Sequence, residues 1–278
     1  MSDHRSKKER LMSRRNVVLA IGVLMAVGAV GAIGAIGAGA LVLKFLRPAA
    51  LGAATVADRL AEHGPGVDAR LAGTLADLGL PPTQPGTQIA LVAFKAEREL
   101  QLYAHAGAQT TNTPWRLVKV YPILAASGRA GPKLREGDKQ VPEGVYRVES
   151  LNPNSRFHLA LRVAYPSRDD VVMAKADSRD VNTLGGDIMI HGGAASIGCL
   201  AMGDEAIEEL FVVAARAGAE NIEVVIAPYK PRHGGLAVPD GAPPWLAKRY
   251  AHIAARLSEI AGSGQNDGKE PDGHGQTK

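Results

Sequence analysis

The sequence predicts a β-rich α+β fold: a mostly antiparallel, curled β-sheet or sandwich domain with a helix after Cys199, preceded by one transmembrane helix. Three observations predict it. From Ile89 onward, short β-type runs alternate with turn residues, the spacing expected of several antiparallel strands. After Gly203 a helix signal opens, with Asp204 as candidate N-cap, Glu205 in the first turn, and Ile207, Leu210, Phe211 and Ala214 at helical spacing as far as Gly218. Near the amino terminus, Val17 to Leu43 is a run of 27 residues without a charged side chain.

Residues 1–15 form a basic tail with six Lys/Arg against two Asp/Glu, so the net charge of +4 resides there; the remainder carries 26 of each sign. A nucleic-acid partner, which needs a basic face on the folded part, is therefore not expected. Residues 16–43 follow as the membrane segment. At ~1.5 Å per helical residue the charge-free run reaches roughly 40 Å, enough to cross an apolar layer of about 30 Å. The length favours an uncleaved anchor over a signal peptide, although Ala38-Gly39-Ala40 offers a small-residue cleavage site. With the basic tail held in the cytoplasm, everything after Leu43 is expected to be exported to the periplasm, either on a single-pass inner-membrane anchor or released from it. Gly28, Gly31, Gly34 and Gly37 recur every third residue and do not form a Gly-x-x-x-Gly pairing stripe.

Residues 44–88 read as a helical stalk or packing appendage of two short helices separated by Gly64-Pro65-Gly66 and ended by Pro81-Pro82. Residues 89–230 form the β domain, with strands over Ile89 to Phe94, Leu100 to Tyr103, Trp115 to Tyr121, Gly144 to Val148, Phe157 to Val163 and Ile222 to Ile226. That length supports one independent core. Residues 231–261 carry an amphipathic helix from Pro244 to Ile260, with Leu246, Tyr250, Ile253 and Leu257 on one face. Residues 262–278 have no large apolar side chain and are expected to be disordered, so His274 is not expected to be a ligand.

Candidate chemistry concentrates in Ile188 to Asp204. On a strand Ile188 and Ile190 face one side and Met189 and His191 the other, so the imidazole enters the Gly-rich turn, and Cys199, eight residues on, folds back toward it. A free thiol is mostly protonated at neutral pH, and a neighbouring imidazole can take its proton. Gly192, Gly193 and Gly198 let backbone approach a substrate, and the amides around Gly198 and Cys199 could point at an oxyanion. Asp187, ~13 Å from His191 along an extended strand, is too far to orient the ring, which leaves a backbone carbonyl for that task. The single cysteine excludes an intramolecular disulfide, and an exported free thiol otherwise invites oxidation. Core packing of both residues also fits the pattern. A metal is not expected, because there is no second Cys and His63, His105, His158 and His233 lie far apart along the chain. No cofactor is expected either.

The chain resembles the L,D-transpeptidase superfamily (YkuD-type domain), and within it the YafK-like branch, over about Phe94 to Ile226. The resemblance is carried by Ser127-Gly128, Gly131-Pro132-Lys133, Gly137-Asp138, Pro142-Glu143-Gly144-Val145-Tyr146, Leu151-Asn152-Pro153-Asn154-Ser155, Tyr165-Pro166, Gly185-Gly186, Ile190-His191-Gly192 and Ser196-Ile197-Gly198-Cys199-Leu200-Ala201-Met202. It implies a nucleophile at Cys199, a base at His191, and an orienting backbone carbonyl at Gly192. The implied substrate is peptidoglycan: the thiolate attacks the L-centre carbonyl of the diamino acid in a stem peptide, leaves a thioester, and an amine or water resolves it.

Two departures from the wider family stand beside the nucleophile. The common Ser/Thr-His-Gly-Cys is Ser196-Ile197-Gly198-Cys199, and Ala201 replaces the usual Arg or Asn. Both are typical of the YafK-like branch, where release of envelope lipoprotein from peptidoglycan is known, so hydrolysis of stem peptides or lipoprotein links is the expected reaction. Ser196 either contacts substrate or only shapes the turn. Lys133, Arg129 and Arg135 either meet a stem carboxylate or are solvated, and Pro142-Glu143-Gly144 reads as turn chemistry shaping the cleft wall. The competing function is a non-catalytic, membrane-tethered peptidoglycan-binding module. A redox-sensing thiol lacks a resolving cysteine.

Overall fold

The computed structural model describes residues 53–105, 114–231 and 235–262. The expected membrane segment and the carboxy-terminal tail lie outside these residues. Among the described residues no helix is long and apolar enough to cross a membrane.

The first element is helix α1 (Val56–Asp77), opened by a capping box in which the Thr55 hydroxyl accepts from the Asp58 amide and the Asp58 carboxylate accepts from the Thr55 amide. It corrects the expectation of two helices, because Pro65 lies inside one continuous helix. An interior proline costs about 3 kcal/mol, and packing offsets that here: Val67 and Leu71 are buried in the main core, and Asp68 pairs with Arg216. Of the two expectations, stalk or packing appendage, the helix follows the second: it packs into the domain.

Among the described residues nine strands follow: β1 (Gln88–Phe94), β2 (Glu99–His105), β3 (Arg116–Pro122), β4 (Ala125–Ala126), β5 (Gly144–Ser155), β6 (His158–Val163), β7 (Met189–His191), β8 (Leu200–Ala201) and β9 (Ile222–Ala227). They form one curled sheet in the order β3-β2-β1-β9-β5-β6-β7-β8-β4. Only the β1·β9 and β7·β8 ladders are parallel. Strand β5 makes the curl. Its start pairs with β9 and its end with β6, and register shifts after Val148 and Asn152 bend it between the two.

Helix α2 (Arg168–Ala176) was not anticipated. Its apolar periodicity is short, but Ser167 and Asp170 form a capping box. Helix α3 (Asp204–Ala217) follows β8; its N-cap is Gly203, without a side-chain cap, so Asp204 is the first helical residue and is free for another bond. Helix α4 (Leu246–Gly262) closes the described chain. The central sheet is covered on both faces. Phe211, Ile207 and Leu210 of α3 and Val67 and Leu71 of α1 share a core with Leu91, Leu102 and Val224. On the other face Leu246, Tyr250, Ile253 and Leu257 of α4 pack on Val92, Phe94, Tyr103 and Val225.

Candidate active site

Strand β7 and the chain entering β8 build the site. They run parallel with Ile190 opposite Leu200 and His191 opposite Ala201. Cys199 sits two residues before Ala201 and so shares the face of the sheet that His191 occupies, offset by roughly 7 Å along the strands. Ile190, on the opposite face, is fully buried in the core. His191 is buried as well, at 3% exposure, so it stands in a walled recess and not in an open turn.

The ring is held on two sides. Nδ1 lies 2.6 Å from the Gly192 carbonyl oxygen, and the Phe157 ring stacks on the imidazole with centroids 4.6 Å apart at 29°. A carbonyl only accepts, so Nδ1 carries the proton and Nε2 keeps its lone pair. The Cys199 thiol donates to the Asp187 carbonyl at 3.5 Å and accepts from the Met189 amide at 3.4 Å. Among the described residues it makes no hydrogen bond to His191.

Burial sets the protonation states. It lowers the His191 pKa below the usual imidazole value, with the Gly192 carbonyl acting in the opposite sense. It raises the Cys199 pKa, against the smaller pull of the Met189 amide. Both groups are therefore neutral at rest, a thiol and an imidazole on one face of the sheet.

The expected oxyanion amides are not free. Gly198 N donates to the Ser127 hydroxyl at 2.7 Å, and Cys199 N to the Ser196 hydroxyl at 3.0 Å. A secluded amide without a substrate needs such a partner, and the positive φ of Gly198, 88°, turns this loop. Gly192 departs from expectation in another way. A Cβ there would lie 2.6 Å from the Phe157 carbonyl oxygen and 2.7 Å from an Asp204 carboxylate oxygen, so the space belongs to the protein's own chain and not to a substrate. Asp204 also accepts from Gly193 N at 2.8 Å and ties the turn to α3.

Residues 90–226 match the L,D-transpeptidase catalytic domain, YkuD. This segment is an L,D-transpeptidase catalytic domain. The chain is 35% identical over 150 residues to YafK of Escherichia coli (strain K12), a protein carrying the L,D-transpeptidase name, covering 52% of this chain and 56% of that protein; the same holds for YafK of E. coli O157:H7. It thus spans little more than half the length of these relatives. Among solved structures, Pgp2 of Campylobacter jejuni, a helical cell shape determining protein, aligns at 20% identity over 58% of this chain and 56% of its own, with a TM-score of 0.40. Bd1075 of Bdellovibrio bacteriovorus aligns at 18% identity over 65% and 60%, with a TM-score of 0.36.

Several residues of the L,D-transpeptidase domain sit elsewhere than the sequence suggested. Lys133 is not solvated: it is buried, with Nζ 2.7 Å from Asp138 and 2.8 Å from the Arg135 carbonyl. Glu143 does more than shape a turn. It is fully buried and accepts from Lys95, the Gly131 amide and Tyr250. Arg129 and Arg135 do border an open groove of about 750 Å³ with Ser127 at one end. Sequence reasoning gave no site role to Phe157 or Ser127; Ser127 was visible only as part of a motif, and Phe157 only as an apolar residue at a hairpin tip. His63 and His158, set aside for their separation along the chain, meet in space with rings in an edge arrangement 5.4 Å apart.

Proposed function

We propose that the protein is a membrane-tethered periplasmic enzyme that cleaves peptidoglycan stem peptides or their links to lipoprotein through a thioester on Cys199. The observation that carries this reading is the bond from His191 Nδ1 to the Gly192 carbonyl, 2.6 Å, which leaves Nε2 unprotonated on the face it shares with Cys199. The peptidoglycan assignment rests on the L,D-transpeptidase domain. The tether is the charge-free run 17–43, and the basic tail before it sets the orientation.

His191 takes the thiol proton as Sγ attacks the peptide carbonyl; the C–S bond forms, the C–N bond breaks, and the proton passes to the leaving amine. A substrate carbonyl that displaces the Ser127 and Ser196 hydroxyls gains the Gly198 and Cys199 amides as oxyanion donors. Water then attacks the thioester while His191 takes its proton; the C–O bond forms, the C–S bond breaks, and the proton returns to Sγ, releasing the carboxylic acid and restoring the thiol. Hydrolysis is favoured over cross-linking by Ile197 and Ala201, which stand where the wider family carries polar residues.

The test is incubation of the purified protein with tetrapeptide muropeptides and with lipoprotein-linked peptidoglycan, beside Cys199→Ala, with products read by mass spectrometry. Cys199-dependent loss of D-alanine or release of the linked peptide supports the enzyme and names its substrate. Equal retention of wild type and variant on sacculi, with no product from either, establishes a binding module instead.

A further inference from the structure

Behind the wall formed by Phe157, three potential ligands from distant parts of the chain converge. His63 comes from α1, His158 opens β6, and Glu208 lies on α3. One ligand atom from each falls within 4.8 Å of the others. Both imidazoles address the same carboxylate oxygen: His158 Nε2 is 3.0 Å and His63 Nδ1 3.5 Å from Glu208 Oε1.

Simple hydrogen bonding accounts for this cluster incompletely. His63 Nε2 is buried and has no hydrogen-bond partner. A Glu62 carboxylate oxygen lies 3.8 Å from it, beyond hydrogen-bond distance, on the ring side where the outer carboxylate of a metal-ligating imidazole stands. His158 also holds φ at +70°, the left-handed region that a residue with a Cβ seldom occupies, and this places its ring in the cluster. A tetrahedral zinc with bonds of 2.0–2.2 Å separates its ligands by about 3.3–3.5 Å, against the 3.0 and 3.5 Å seen here. Two imidazoles and one carboxylate suit zinc and its neighbours in the transition series, not magnesium or calcium, which require mostly oxygen donors.

We infer that His63, His158 and Glu208 form a binding site for a divalent transition metal of the zinc class. Bound there, the ion joins α1, the β5–β6 turn and α3 at one point. Phe157 precedes the ligand His158 and stacks on His191, and the His158 Cβ lies 3.1 Å from where a Cβ on Gly192 would stand. The ion therefore stiffens the wall against which the imidazole rests. It lies outside the reaction itself.

The experiment uses full-length protein carrying Cys199→Ala, so that the thiol cannot supply a ligand, and titrates Zn²⁺ against a chromophoric chelator. One equivalent is expected to bind at micromolar or lower free zinc and to raise the melting temperature. His63→Gln, Glu208→Gln and His158→Asn, the last chosen because Asn tolerates positive φ, should each weaken binding by about tenfold or more and remove the thermal shift. Absence of stoichiometric binding by the parent overturns the site. So does binding that survives unchanged in the His63→Gln and His158→Asn proteins, which would place the zinc elsewhere.

Discussion

Glu143 and His191 are both nearly sealed from solvent, at 0% and 3% exposure, yet their surroundings differ. One Glu143 oxygen accepts from Lys95 Nζ and from the Gly131 amide, each at 2.9 Å, and the other from Tyr250 at 2.7 Å. His191 has one bond, through Nδ1, and an apolar ring across its face. The carboxylate has spent its hydrogen-bonding capacity on structure, whereas the imidazole holds a lone pair in reserve. Burial alone does not tell these two surroundings apart; the number of hydrogen bonds each side chain makes does.

The largest expected effect breaks the reactive side of this contrast. Cys199→Ala should abolish turnover of peptidoglycan substrates, and His191→Gln should lower kcat/KM by about 10²–10⁴-fold, while denaturant melts show the Cys199→Ala domain still folded. Retention of activity in either variant removes the dyad from the mechanism.

Glu143→Ala attacks the saturated side. It leaves Lys95 buried and unpaired and should cost about 3–5 kcal/mol of unfolding free energy; Tyr250→Phe removes one bond and should cost about 1 kcal/mol. Equal losses in urea melts would mean that the ion pair is not what holds α4 and β1 to the β5 entry. Gly192→Ala lies between the two regions. The new methyl meets the Phe157 carbonyl and Asp204, so a destabilisation of about 1–3 kcal/mol should accompany loss of turnover.

The smallest effect is in pH dependence. The folded His191 pKa lies below its unfolded value, so on acidification the unfolded chain takes up the proton first. The stability His191 contributes is present above about pH 6.5 and is lost as the pH falls below it. Urea midpoints between pH 5 and 7.5 should therefore drop more steeply for wild type than for His191→Gln. Burial also raises the Cys199 pKa, so alkylation of the thiol should reach half its maximal rate at a pH above that of a free cysteine.

Much of this architecture is written in local patterns. The β1, β2 and β9 runs, the start of α3 near Asp204 and the apolar face of α4 all follow from spacing, and the Ile190-His191-Gly192 and Gly198-Cys199 segments meet through the β7·β8 ladder. What escaped the sequence depends on contacts far along the chain. Pro65 reads as a break until α3 is present for α1 to pack on. Lys133 reads as solvated or carboxylate-binding, and Glu143 as turn chemistry, until Asp138 and Lys95 are beside them. His63 and His158, 95 residues apart, share no local signal at all.

The β1·β9 ladder sets a timetable for the newborn chain. It sets Ile89 beside Ile222 and Phe94 beside Ala227, so the centre of the sheet joins the domain's first strand to its last. A ribosome must deliver residue 227 before that seam can zip, and pairings of such long sequence separation form slowly. Nascent fragments that already contain Cys199 still lack the sheet centre on which its neighbours are assembled. The fold therefore delays closure of the β1·β9 seam until the domain is almost fully synthesised.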